Sequence, residues 1–87
     1  MIEEIVTTQY KEKITMARED VVLRIEEQSC LSCREYDAIF KEIASEYGRH
    51  IHFYTINGLS NDVPGIRPDS FPTVVFYPYD RVAYEWS

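Results

Sequence analysis

Val21-Val22-Leu23-Arg24-Ile25-Glu26-Glu27-Gln28-Ser29-Cys30-Leu31-Ser32-Cys33 is the stretch on which the reading of this chain turns. Its opening residues, Val21 to Ile25, are mostly β-branched or apolar, the composition of a buried strand, and the charged pair Glu19-Asp20 introduces them. Cys30 and Cys33 follow, and they are the only two cysteines among 87 residues. Their spacing lets two thiols meet across one turn of helix and close a small disulfide ring. A dithiol placed where a strand gives way to a helix is a common setting for redox chemistry.

Downstream of the cysteines, Tyr36, Ile39, Phe40, Ile43 and Tyr47 form an apolar stripe at helical spacing. Arg34, Glu35, Lys41, Glu42 and Glu46 line the opposite face, and Gly48 supplies a stop. The pattern predicts one long amphipathic helix starting at the cysteine motif. His50 to Asn57 alternates and is rich in β-formers, so it reads as a strand. Leu59 to Val63 lacks the alternation of a hairpin partner and reads as a loop with one helical turn. Pro64, Gly65, Pro68 and Asp69 keep the chain irregular up to Phe71-Pro72. Thr73 to Tyr77 is a fourth strand, Pro78-Tyr79-Asp80 a turn, and Arg81 to Trp86 a fifth strand.

Upstream, Ile5-Val6-Thr7 is suited to a first strand. In Gln9 to Glu19 the apolar residues Tyr10, Ile14 and Ala17 recur at i, i+4, i+7 and predict a short helix. The element order is therefore β-α-β-α-β-loop-β-β, in a single domain covering residues 1–87. Helical crossovers between the early strands imply parallel pairing, and the late tight turn implies an antiparallel hairpin. The fold class is α/β with a mixed sheet.

Composition narrows the function classes. Apolar residues make up 45% of the chain and aromatics 14%, with seven tyrosines, enough for a packed core. A net charge of −6, with the nine basic residues scattered, argues against a nucleic-acid surface. Met1-Ile2-Glu3-Glu4 is acidic where a secretory leader would be basic, and no apolar run reaches the roughly 18 residues of a membrane span. The expected compartment is the cytoplasm, with no membrane partner. A reducing compartment makes a purely structural disulfide uncommon, and two cysteines there read as catalytic or metal-binding.

These features together resemble the thioredoxin family. The resemblance runs from about Val21 to Trp86 and rests on four features in order. They are a buried strand ending at Cys-x-x-Cys, a helix beginning at that motif, the Gly65-Ile66-Arg67 stretch, and Phe71-Pro72-Thr73 opening a β-rich hairpin. Pro72 lies 39 positions after Cys33, about the separation the family uses. The resemblance implies that the bond before Pro72 is cis, that Pro72 lies beside the cysteines, and that the backbone of Phe71 pairs with a bound peptide. Phe71 and Pro72 are thus the candidate substrate-binding residues.

Several positions depart from the family pattern. Leu31-Ser32 replaces the Gly-Pro of thioredoxins and the Pro-Tyr common in glutaredoxins, and Ser29 stands in place of a tryptophan. Arg24 occupies the place of a buried aspartate that assists proton transfer, and Thr55 that of its lysine partner. Glu26 or Glu27 is a candidate replacement proton acceptor. The sequence after Pro72 suffices for the hairpin, without the family's last helix. One sheet face is then expected to be under-covered, leaving Val75, Tyr77 or Tyr84 partly bare as a candidate homodimer or partner surface.

The implied chemistry is thiol-disulfide exchange. Cys30, at the first turn of a helix, meets unpaired backbone N–H groups that stabilise a thiolate and should bring its pKa below the free-thiol value of roughly 8.5. Arg34 is placed to add to this. Cys30 is the candidate nucleophile and Cys33 the resolving thiol. Ser32 and Glu35 have capping-box spacing, so the Ser32 hydroxyl is a candidate cap. Cys30, Cys33, His50 and His52 could in principle form a metal set. His-x-His is not a zinc-finger spacing, however, and the proposed fold puts the histidines and cysteines at opposite ends of parallel strands. No metal and no cofactor is expected. The first reading is an oxidoreductase acting on a disulfide-containing protein or small-thiol substrate, with a reductase as a candidate recharging partner. The alternative is a redox-inactive thioredoxin-like binding module.

Overall fold

A computed structural model describes residues 2–80 and the backbone of residues 84–86. Five strands form one sheet: β1 (Ile2–Ile5), β2 (Asp20–Glu26), β3 (Ile51–Asn57), β4 (Thr73–Tyr77) and β5 (Tyr84–Trp86), in the order β1-β3-β2-β4-β5. The first three run parallel. β2 pairs with β3 from Asp20↔Ile51 to Glu26↔Asn57, and β1 with β3 from Ile2↔Phe53 to Ile5↔Ile56. β4 runs antiparallel to β2 (Val21↔Tyr77 to Ile25↔Thr73), and β5 antiparallel to β4. β2 therefore lies at the centre, which explains its near-continuous apolar composition. Of the fifth strand expected over Arg81 to Trp86, residues 81–83 lie outside the described residues.

Two helices follow the cysteine motif instead of one. α1 (Leu31–Glu35) and α2 (Asp37–Tyr47) meet at Tyr36, whose backbone (φ −95°, ψ 0°) leaves the helical region. Asp37 explains the break. Its carboxylate occupies the first turn of α2, where the helix dipole favours an anion, and it is drawn toward the sheet by an ion pair described below.

Strand parity assigns each residue to one of two faces. Ile5, Ile14, Val21, Leu23, Ile25, Tyr54, Ile56, Val75 and Tyr77 form the main core on one face, joined by Val63 from the loop. On the other, Phe40 and Ala44 of α2 pack against Phe53, with Ile2, Val22 and Ile51 at the margin. Phe40 and Phe53 meet edge to face at 5.7 Å. This corrects the expected bare residues. Val75 and Tyr77 are buried under the N-terminal segment, where Tyr10 meets Tyr77 edge-on at 6.1 Å. Their neighbours Val74 and Phe76, only partly buried, lie on the α2 side. The side chain of Tyr84 lies outside the described residues.

The expected stripe on α2 is also mostly uncovered. Phe40 and Ala44 are buried, whereas Tyr36, Ile39, Ile43 and Tyr47 are exposed. The N-terminal segment directs Tyr10, Ile14 and Ala17 at the core as the periodicity requires, but not through an α-helix. Thr7–Gln9 form a 3₁₀ turn and Lys11–Thr15 a wide π turn closed by the Met16 N–H on the Lys11 carbonyl at 2.9 Å. β-Branched Thr7, Thr8, Ile14 and Thr15 weaken a regular helix. Thr7 also bonds outward, its N–H to Asn61 Oδ1 (3.0 Å) and its hydroxyl to the Asp62 carbonyl (2.7 Å). β1 starts and ends earlier than expected because Val6 turns away, its N–H donating to Gln9 Oε1. Among the described residues, no helix is long and apolar enough to cross a membrane.

Candidate active site

β2 delivers the chain to the site. Past Glu26, the Glu27 carboxylate accepts from the Ser29 N–H (2.8 Å) and hydroxyl (2.6 Å), while the Cys30 N–H reaches back to the Glu27 carbonyl. This tight turn places Cys30 at the N-cap of α1 in an extended conformation. Its sulfur accepts the Cys33 N–H at 3.0 Å, occupying a capping site usually filled by a side-chain oxygen. The cap expected at Ser32 is thus Cys30 itself, and Ser32 is exposed. Cys30 and Cys33 are joined as a disulfide with their Cα atoms 5.2 Å apart. Both are largely sheltered, at 7% and 4% exposure, whereas Leu31 between them stands out in solvent.

Pro72 comes to the same end of the sheet. The Phe71–Pro72 bond is cis, and Thr73, next in line, pairs with Ile25 near the end of β2. The Thr73 hydroxyl donates to the Ser70 carbonyl at 2.7 Å. Gly58 lets this segment approach: its N–H donates to the Glu26 carbonyl at 2.8 Å, and a Cβ there would lie 2.6 Å from the Phe71 ring and 2.7 Å from Ile25. Phe71 and Pro72 are both half-buried.

A cleft of about 330 Å³ opens behind the disulfide, lined by Cys30, Cys33, Glu26, Glu27, Asp37 and Thr55 among others. Arg24 organises it. The residue is 4% exposed, and its guanidinium lies 4.4 Å above the Phe40 ring. Nη2 pairs with Glu26 Oε1 and with Asp37 Oδ1, each at 2.9 Å, and Nε reaches Glu26 at 3.3 Å. Asp37 also binds Lys41 one turn along α2 at 2.8 Å. The Lys41 ammonium, then the Arg24 guanidinium, hold the Asp37 carboxyl below its ordinary pKa against a smaller opposing effect of burial. This network escaped the sequence reading, although a charged residue inside an apolar strand was the available signal.

The remaining candidates divide between the site and elsewhere. Glu26 is committed to Arg24 and Glu27 to Ser29, yet both line the cleft with Cys33. Arg34 donates to the Gln28 carbonyl at 3.4 Å and lines the same cleft. His52 pairs with Glu19 at 3.3 Å and stacks on Tyr54, opposite Val21 at the far end of β2 from the cysteines. Among the described residues, no three His, Cys, Asp or Glu side chains gather in a metal-holding group.

No protein-family profile matches the chain. It is 28% identical over 72 residues to protein disulfide isomerase-like 1-4 of Oryza sativa subsp. japonica, which covers 76% of this chain. The chain spans 12% of that protein's length. The crystal structure of chloroplastic thioredoxin z superposes with a TM-score of 0.85 at 20% identity, covering 99% of this chain and 80% of that one. The superposition shows that the chain has a thioredoxin-like fold, and within that fold the cysteine pair stands at the head of α1 and the bond before Pro72 is cis.

Proposed function

We propose that this chain is a thiol-disulfide oxidoreductase in which Cys30 and Cys33 cycle between dithiol and disulfide. The observation that carries the reading is the Cys33 N–H directed at the Cys30 sulfur, with both cysteines bonded to each other at the head of α1. In the reduced protein the same N–H favours an anionic sulfur on Cys30. The Cys30 thiolate attacks a partner disulfide R–S–S–R′, a Cys30–S–S–R bond forms, and R′–S⁻ leaves and takes up a proton. Cys33 then gives up its proton, and its sulfur attacks Cys30. R–S⁻ departs, and the protein holds the Cys30–Cys33 disulfide. Two electrons pass to the substrate, and an external dithiol or a reductase returns them.

Phe71 and Pro72 form the substrate-facing edge beside this pair in the reading. The substrate is a disulfide-bearing polypeptide or small molecule, and the similarity to a disulfide isomerase-like protein supports the polypeptide. The test is turnover of a small disulfide and of an oxidised polypeptide with a chemical dithiol supplied. Wild type is expected to accelerate both. Cys30→Ser abolishes the effect, and Cys33→Ser accumulates a mixed disulfide on Cys30. An inert wild type overturns the reading in favour of a binding module without redox activity.

A further inference from the structure

Cys33 is 4% exposed, so its proton does not pass straight into bulk water when its sulfur attacks Cys30. The proton needs an acceptor in the cleft behind the pair, whose volume of about 330 Å³ has room for several water molecules. Among the described residues, the carboxylates that line this cleft with Cys33 are Glu4, Glu26, Glu27 and Asp37. Arg34 is the lining cation, and β3 contributes the uncharged Thr55, Ile56 and Asn57.

Three of these carboxylates are poor acceptors. Asp37 is bound by Lys41 at 2.8 Å and by Arg24 at 2.9 Å, and the two cations hold its carboxyl below its ordinary pKa. Glu27 accepts the N–H and the hydroxyl of Ser29 in the turn that places Cys30. Glu4 stands on the edge strand β1 beside Thr55, with β3 between it and β2. Glu26 remains. It closes β2 just before the turn into Cys30, and its side chain is 26% exposed. Arg24 fixes its carboxylate through Nη2 (2.9 and 3.2 Å) and Nε (3.3 Å). That hold does not forbid a proton. When Glu26 is neutralised, Arg24 keeps Asp37 as its counter-ion, so the buried guanidinium is not left unpaired.

We propose that Glu26 accepts the Cys33 proton, through water in the cleft, as Cys33 attacks the mixed disulfide on Cys30. The inference rests on the oxidoreductase reading and assigns a group to its second step. The Cys33 S–H bond breaks, and the proton passes to the Glu26 carboxylate. The Cys33 sulfur bonds to the Cys30 sulfur while the Cys30–S–S–R bond breaks, and R–S⁻ leaves with the electron pair. The Glu26 carboxyl then returns the proton through water, which gives R–SH and restores the ion pair with Arg24. Arg24 is a positioning residue in this step, since it holds the carboxylate and touches neither sulfur nor substrate.

Stopped-flow absorbance separates the two steps. Reduced protein mixed with one equivalent of 5,5′-dithiobis(2-nitrobenzoate) releases thionitrobenzoate twice, first as Cys30 attacks the reagent and then as Cys33 attacks Cys30. In Glu26→Gln the amide oxygen still accepts from Arg24. Near pH 6 this variant should keep the first release within about twofold of wild type and slow the second by about 100-fold. Near pH 10, above the ordinary thiol value of roughly 8.5, hydroxide takes the proton and the two proteins should converge. Glu26→Asp, with its carboxylate drawn back by one methylene, should show a smaller loss near pH 6 that also vanishes near pH 10. Glu4→Gln should leave both releases at wild-type rates. A second release that is unslowed in Glu26→Gln, slowed equally at both pH values, or slowed as much in Glu4→Gln overturns the proposal. A wild type that stops after the first release does not exchange at all, and that outcome sinks the oxidoreductase reading itself.

Discussion

Arg24 on β2 and Asp37 at the head of α2 are joined by a 2.9 Å ion pair across the cleft behind the disulfide. The pair ties the central strand to the helix after the cysteines, and Arg24 adds a stack on Phe40 from the same helix. Its carboxylate partners retain water, with side chains 26% and 36% exposed, so loss of the arginine leaves them solvated. The larger effect of Arg24→Ala is therefore the void beside Phe40. We expect it to cost about 2–4 kcal/mol in denaturant unfolding, and Arg24→Met, which keeps the volume, to cost less than half as much. Equal losses in the two variants would show that charge, not packing, carries the contribution.

The Asp37 carboxyl sets part of the acid stability. Its pKa lies below the ordinary value in the folded protein because Lys41 and then Arg24 bind the ionised form. The unfolded chain therefore takes up the proton first as pH falls. The stabilising contribution is whole above the unfolded value, near pH 4, and is lost as pH falls through the lower folded value. Asp37→Asn is expected to flatten the fall in melting temperature over that window and to leave the slope above pH 6 unchanged. A wild-type slope in the variant would assign acid sensitivity to other carboxylates.

Gly58 holds the Pro72 segment against the end of β2. A methyl group there meets the Phe71 ring and Ile25 at distances side chains do not tolerate, while its N–H is bound to the Glu26 carbonyl. Gly58→Ala should destabilise by about 1–3 kcal/mol through overpacking. It should also displace Phe71 and so weaken exchange with polypeptide disulfides more than with small ones. Unfolding curves together with the ratio of the two rates check both effects.

Much of this was legible in the sequence because the decisive elements are locally encoded. The strand from Val21, the turn into Cys30, the helix after it and the hairpin after Pro72 each carry their own periodicity or turn chemistry. The misreadings came where tertiary contacts overrule local pattern. Asp37 breaks the helix at Tyr36 because Arg24, thirteen residues back, engages it across space. The N-terminal segment forms 3₁₀ and π turns while Thr7 bonds to the distant Asn61 and Asp62. Val75 and Tyr77 were expected on the under-covered face because Val74, Val75, Phe76 and Tyr77 are apolar or aromatic on both faces of β4, so composition does not fix parity there.

The disulfide itself separates a cycling pair from a structural staple. Cys30 and Cys33 close a ring of only four residues, so the cross-link removes little freedom from the unfolded chain, about 2 kcal/mol by loop entropy. Both cysteines sit in a helical turn whose remaining bonds need no sulfur bridge: the Arg34 N–H reaches the Cys30 carbonyl and the Tyr36 N–H the Ser32 carbonyl. The fold should therefore survive reduction, with a loss of no more than about 2 kcal/mol. Denaturation with and without an excess of dithiol measures the difference. A protein that unfolds when reduced would hold its disulfide for stability, and Cys30 would then have no folded dithiol state from which to attack a partner.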